Sequence, residues 1–168
     1  MKKVLLILFI VICPVIIILL IDKNVTGRLR KVEAKIFLDR IKGYEDIIVK
    51  EARNNHFDAD LGRALIWQES SGYANKKRKE DGFYSYGLCG LTLGAARDMG
   101  YSGEEKDLIK PEINIRYAFA YLRHQYNRYG DWSKALVAYN AGHFTGNYTY
   151  ANSVWKKLKA IKEAKSEQ

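Results

Sequence analysis

Ala64-Leu65-Ile66-Trp67-Gln68-Glu69-Ser70-Ser71-Gly72 is the stretch around which the chain is organised. Leu61, Ala64, Leu65 and Gln68 fall on one helical stripe, and Ile66 and Trp67 widen it. Asp58 reads as the N-cap, Asp60 as an acid in the positive first turn, and Ser-Ser-Gly as the exit. Glu69 therefore stands in the last turn of a mostly apolar helix. Apolar surroundings disfavour its charged form and raise its pKa. The negative end of the helix dipole disfavours an anion further. A carboxyl that keeps its proton near neutral pH suits a general acid. The stretch alone also fits a plainer assignment, with Glu69 at the solvent edge of the helix, where most carboxylates lie.

On the N-terminal side, residues 28–41 carry Leu29, Val32, Ile36 and Phe37 at helical spacing, and residues 44–54 turn Ile47, Ile48 and Ala52 inward. On the C-terminal side, residues 72–86 read as a polar, basic loop. Thr92 then caps a short helix closed by Gly100, and residues 103–110 form another loop. Pro111 opens a helix bearing Ile115, Ala118, Phe119 and Leu122, which ends at Gly130. Asp131 or Ser133 caps the next helix, closed at Ala141-Gly142. After a loop at 143–149, a last helix from Ala151 to about Lys162 turns Val154, Trp155, Leu158 and Ile161 inward, and its charged tail frays beyond Ala160. Alternation never persists beyond a few residues and no repeat is present, so the fold class is all-α.

The 168 residues carry a net charge of +9 and include 12 tyrosines. A basic surface favours polyanions: nucleic acid, anionic lipid or an acidic wall polymer. No helix-turn-helix, zinc-finger or RNA-recognition signature is present, so no nucleic-acid partner is expected. The run Lys76-Lys77-Arg78-Lys79 fits a solvated surface or a contact to phosphate or carboxylate. Cys13 lies in an apolar segment and Cys89 in the domain, so they should not pair. His56, His124 and His143 show no ligand spacing, so neither metal nor cofactor is expected. Residues 4–21 are uninterruptedly apolar, long enough to span a bilayer, and no small-x-small cleavage site follows. We therefore expect an uncleaved transmembrane signal anchor over 1–21, a helical stalk and domain start over 22–55, and the main domain over 56–168. The flanking charges leave its orientation open.

Four pieces in order resemble the catalytic domain of the lytic transglycosylases of the soluble (SLT) type, which has a lysozyme-like fold. They are Trp67-Gln68-Glu69-Ser70, Tyr86-Gly87-Leu88-Cys89-Gly90-Leu91 with Ala95-Ala96, Asn114-Ile115 with Tyr121-Leu122, and Ala135-Leu136-Val137-Ala138-Tyr139-Asn140-Ala141-Gly142. The resemblance implies cleavage of the bond between N-acetylmuramic acid and N-acetylglucosamine in peptidoglycan, with a 1,6-anhydro product. It makes Glu69 catalytic, as acid and then base. It makes Tyr139, Asn140, Ser70, Ser85, Tyr86 and Gly87 substrate-binding. Five of these also have a plain structural assignment: Tyr139 and Tyr86 as packed aromatics, Asn140 as a helix-end residue, Ser70 as a helix cap, Ser85 as a turn residue.

The family pattern at the second piece is Gly-Leu-Met-Gln, where this chain has Gly87-Leu88-Cys89-Gly90. Leu93 also stands where a proline is usual. The missing amide suggests an unfilled contact, so Gly90→Gln is expected to raise turnover or sugar affinity. The partners implied are peptidoglycan strands, the membrane through residues 4–21, and an envelope-spanning machine. The implied place is the extracytoplasmic side of the cytoplasmic membrane. Two other readings fit the same residues: a muramidase of the goose-type lysozyme kind, which adds water to the product, and a non-catalytic wall-binding accessory of a secretion, conjugation or phage-entry machine.

Overall fold

The computed structural model describes residues 25–79 and 82–166. The apolar run at 4–21 lies outside the described residues. Among the described residues, no helix is long and apolar enough to cross a membrane.

Among the described residues, seven helices and a small sheet make the domain. Helix α1 covers residues 25–41, and a 3-10 turn (Lys42–Tyr44) leads into α2 (Glu45–Asn54). Helix α3 (Ala59–Ser70) follows, then β1 (Lys77–Lys79), β2 (Tyr84–Tyr86), β3 (Leu91–Thr92) and α4 (Leu93–Asp98). A second 3-10 turn (Glu105–Ile109) precedes α5 (Pro111–Tyr129), α6 (Trp132–Ala141) and α7 (Thr149–Lys165).

The caps sit where the sequence places them. Asp58 accepts from the Asp60 N–H, Thr92 from the Ala95 N–H and Asp131 from the Lys134 N–H, and Pro111 is the first residue of α5. Each cap satisfies a helix N–H that has no intrahelical partner. The strands were not anticipated. They form an antiparallel sheet in the order β1-β2-β3, with Arg78 opposite Ser85 and Ser85 opposite Thr92. Mostly helical remains the right description, with this sheet inserted between α3 and α4.

Two other expectations change. In α1 the buried residues are Ala34, Phe37 and Ile41, whereas Leu29, Val32 and Ile36 are more than half exposed. Phe37 stacks on Trp67 of α3 at 5.0 Å between centroids, which fixes which face of α1 looks inward. The end of α7 does not fray after Ala160. Ile161 and Ala164 are fully buried, and Lys162 and Lys165 pair with Asp58 (2.8 Å) and Asp60 (2.9 Å) at the start of α3.

Helix α3 runs through the middle. It packs along α7 and meets α5 where Gly62 faces Phe119, so closely that a Cβ there would lie 2.4 Å from the ring. Leu65 and Ile66 of α3, Phe119 and Leu122 of α5 and Leu136 of α6 form the centre of the core, all fully buried. The polar end of α3 is thereby delivered to the junction of the sheet, α6 and α7.

Candidate active site

Glu69 in the last turn of α3 is 6% exposed. Three cationic or hydroxyl groups reach it from different parts of the chain. The Tyr150 hydroxyl, at the start of α7, donates to Oε1. Arg78 on β1 donates through Nη2 to Oε2 at 2.9 Å. Lys76 donates to the Glu69 carbonyl oxygen at 2.7 Å, supplying one of the partners a helix C-terminus lacks. Burial pushes the Glu69 carboxyl above the ordinary carboxylate range, while Tyr150, Arg78 and Lys76 hold back the rise. The expected upward direction is present and desolvation is its main cause.

Beyond α3 the chain leaves the helix through Ser71, in the left-handed conformation at φ 56°, and its carbonyl accepts from Arg40 at 2.6 Å. Ser70 Oγ donates to the Ile66 carbonyl and accepts from the Gly72 N–H, so its bonds are those of a helix exit.

The turn from Gly87 to Gly90 passes directly over the carboxylate, held there by Asn114 of α5. The Asn114 amide nitrogen donates to the carbonyls of Tyr86 and Leu108, both at 2.7 Å, and its oxygen accepts from the Cys89 N–H at 2.8 Å. Gly87 has φ +71°, and a Cβ there would lie 2.6 Å from the Asn114 nitrogen. Gly90 has φ +61°, and a Cβ there would lie 2.5 Å from Glu69 Oε2. The expectation of an unfilled contact at Gly90 is therefore corrected: the space a side chain would take is occupied by the carboxylate itself.

Tyr139 of α6 joins this turn to the adjoining cavity. Its hydroxyl donates to the Cys89 carbonyl at 2.8 Å, and burial together with the charges of Cys89 and Glu69 raises its pKa well above the phenol range. Its ring lines a cavity of about 560 Å³ with Phe83, Thr92, Ala95, Tyr121 and Asn140. Asn140 is exposed on that wall. The structure thus brings Glu69, Tyr139 and Asn140 to one region. Glu69 itself does not line the cavity and reaches it through the Cys89–Tyr139 contact; Ser70, Ser85, Tyr86 and Gly87 do not line it either. Ser85 and Tyr86 are buried in β2, and the Tyr86 hydroxyl donates to Glu105 at 2.8 Å; burial and that acid push its pKa up to about 12.

Three residues of the site were not singled out from the sequence. Asn114 stood in a quoted piece without a role. Arg78 falls in the basic run that fits either a solvated surface or a contact to phosphate or carboxylate, with no signal that the carboxylate is Glu69. Tyr150 gave no signal, because a tyrosine at a helix start has no local pattern that points to a carboxylate 81 residues away.

A family model, "Transglycosylase SLT domain", matches residues 46–162, well over half of the chain. A structural relative is the X-ray structure of an inactive glutamate-to-glutamine mutant of lytic transglycosylase Slt from Pseudomonas aeruginosa. It is 26% identical with a TM-score of 0.51, over 72% of this chain and 21% of that one. The present chain thus spans about a fifth of that protein's length. No curated protein matches this chain.

Two outcomes follow from the geometry. Gly90→Gln forces a side chain into a left-handed position against Glu69, so it should be less stable than the parent by about 1–3 kcal/mol; calorimetry that finds equal stability would show that the carboxylate yields. Glu69→Gln should melt above the parent near neutral pH. A raised carboxyl binds its proton more tightly folded than unfolded, so its ionisation costs stability as pH climbs above the ordinary value of 4.5. The gain from Gln should shrink to nothing below that pH in parallel melts, and a gain independent of pH would remove ionisation as its cause.

Proposed function

Because the chain belongs to the transglycosylase SLT domain family, we propose that it is a peptidoglycan lytic transglycosylase, with Glu69 serving as acid and then base. The observation that carries the proposal is the buried Glu69 carboxyl, raised in pKa and bordered by Tyr139 at the cavity. Among the described residues, the side-chain hydrogen-bond partners of the Glu69 carboxylate are Tyr150 and Arg78, neither of them an acid. Ordinary glycoside hydrolysis uses two carboxylates, one of them to activate water or attack the sugar. A single acid fits a route in which the substrate supplies its own nucleophile.

In that route Glu69 gives its proton to the glycosidic oxygen as the bond from C1 breaks and the ring becomes oxocarbenium-like. The ionised Glu69 then takes the proton of the muramic 6-hydroxyl. O6 bonds to C1, closing a 1,6-anhydro ring and returning Glu69 to its acid form. Water is neither consumed nor released. Tyr150 steadies the carboxylate through Oε1 in the second step. Tyr139 and Asn140 contact the sugar from the cavity wall. The Pseudomonas aeruginosa relative is an inactive Glu-to-Gln mutant, which supports a single indispensable glutamate.

The substrate lies outside the cytoplasmic membrane, so we place the domain there, held by residues 4–21 and open to an envelope-spanning machine. A reporter fused after Gln168 should be active on the outer side only; activity in the cytoplasm would overturn that placement.

The catalytic proposal is tested on purified cell wall. Products of the parent should be lighter by one water than those of a muramidase digest. Glu69→Gln should lose at least about 10²–10⁴-fold in rate, the range for one acid or base, since it serves both steps. Hydrated products, or a variant within threefold of the parent, would refute it.

A further inference from the structure

The ion pair between Arg78 and Glu69 is unequal. Arg78 is 44% exposed at its side chain, and Glu69 is 7% exposed. The arginine reaches inward from a strand whose other cations face out. Lys77 lies over the rings of Tyr84 (4.2 Å) and Tyr86 (5.2 Å), on the opposite side from Lys76 and Arg78, as strand alternation requires. Glu69 is thus tied to a residue that solvent can reach.

That tie conflicts with acid catalysis. Oε1 already accepts from Tyr150, and Oε2, the oxygen beneath Gly90, accepts from Arg78. A guanidinium cannot give up its charge and has only donors to offer. A proton on Oε2 would meet an N–H directed at the same atom. The general acid can therefore load Oε2 only when Arg78 turns away. Turning away costs little if another anion takes its place, because guanidinium pairs planar carboxylates through the same fork.

We propose that Arg78 exchanges partners when substrate binds, from Glu69 to a carboxylate on the peptide stem of the glycan strand, and so frees Glu69 to take up its proton. The inference rests on the transglycosylase reading above and makes the enzyme selective for strands with anionic stems. Arg78 is a positioning residue in this scheme, since it acts through Glu69. The other groups facing Glu69 stay in place: Tyr150 from α7, Tyr139 from α6, Cys89 from the turn and Lys76 ahead of β1.

The test compares the full-length parent, Arg78→Ala and Arg78→Lys on two preparations of one cell wall. One is untreated, and the other has its stem carboxylates converted to amides with carbodiimide and ammonium. The parent should lose kcat/KM on the amidated strands on the order of tenfold, the scale of one charge-assisted hydrogen bond. Arg78→Ala should treat the two within about twofold, and Arg78→Lys should keep part of the preference. In the pH profile of kcat/KM, the fall toward alkaline pH marks ionisation of the acid in the free enzyme. Arg78 holds that ionisation low, so the fall should move to higher pH in Arg78→Ala and stay in Arg78→Lys. Unchanged discrimination in Arg78→Ala, or an unmoved alkaline limb, would overturn the exchange. Equal melting temperatures exclude misfolding as the cause. Failure here with Glu69→Gln still inactive leaves the transglycosylase reading intact, whereas an active Glu69→Gln defeats that reading first.

Discussion

A carboxylate kept almost dry at the end of a central helix is the constraint on which this structure turns. Water solvates an ionised carboxyl strongly, and removing it leaves a charge that must find partners or take a proton. The chain meets the demand with groups that are far apart in sequence and serve one residue: Arg78 from a strand and Tyr150 from the last helix, beneath the cover of the Gly87–Gly90 turn. Those partners stay in register only if α3, α7 and the sheet keep their places. The lysines at the end of α7, paired with the aspartates at the start of α3, hold the two helices in that alignment.

The turn over the carboxylate needs its own support, because a glycine-rich loop pays a large entropy cost to be ordered. Asn114 supplies it. One buried amide satisfies two carbonyls and one N–H from two segments, and it does so from α5, whose buried face sits in the core. Each such bond contributes about 1 kcal/mol net, but losing the amide would strand three buried backbone groups, each costing about 1–3 kcal/mol. Gly87 and Asn114 are one device, since any side chain on the glycine would displace the amide.

The helices were legible because their signals are local. Asp58, Thr92, Pro111 and Asp131 each announce a start, and the apolar environment of Glu69 could be read from its own turn of helix. The strands were not legible, since three residues show too little alternation to be told from a loop. In α1, Leu29, Val32 and Ile36 share a helical stripe, but the core is met by Ala34, Phe37 and Ile41; spacing identifies a helix without saying which of two apolar stripes faces inward. Tyr150 and Arg78 depend on tertiary placement alone. Gly90 misled for the same reason, because a missing side chain reads as a gap until the neighbour that fills it is known.

Cys89 lies inside this arrangement, with its N–H on Asn114, its carbonyl on Tyr139 and its side chain fully buried. Burial, and after it the charge of Glu69, pushes its thiol well above the ordinary range, so it is neither exposed nor nucleophilic in the closed fold. Alkylation at that sulfur requires the turn to lift off the carboxylate. The rate at which a thiol reagent labels Cys89 is consequently a clock for local opening of the catalytic end of α3, distinct from unfolding of the whole domain.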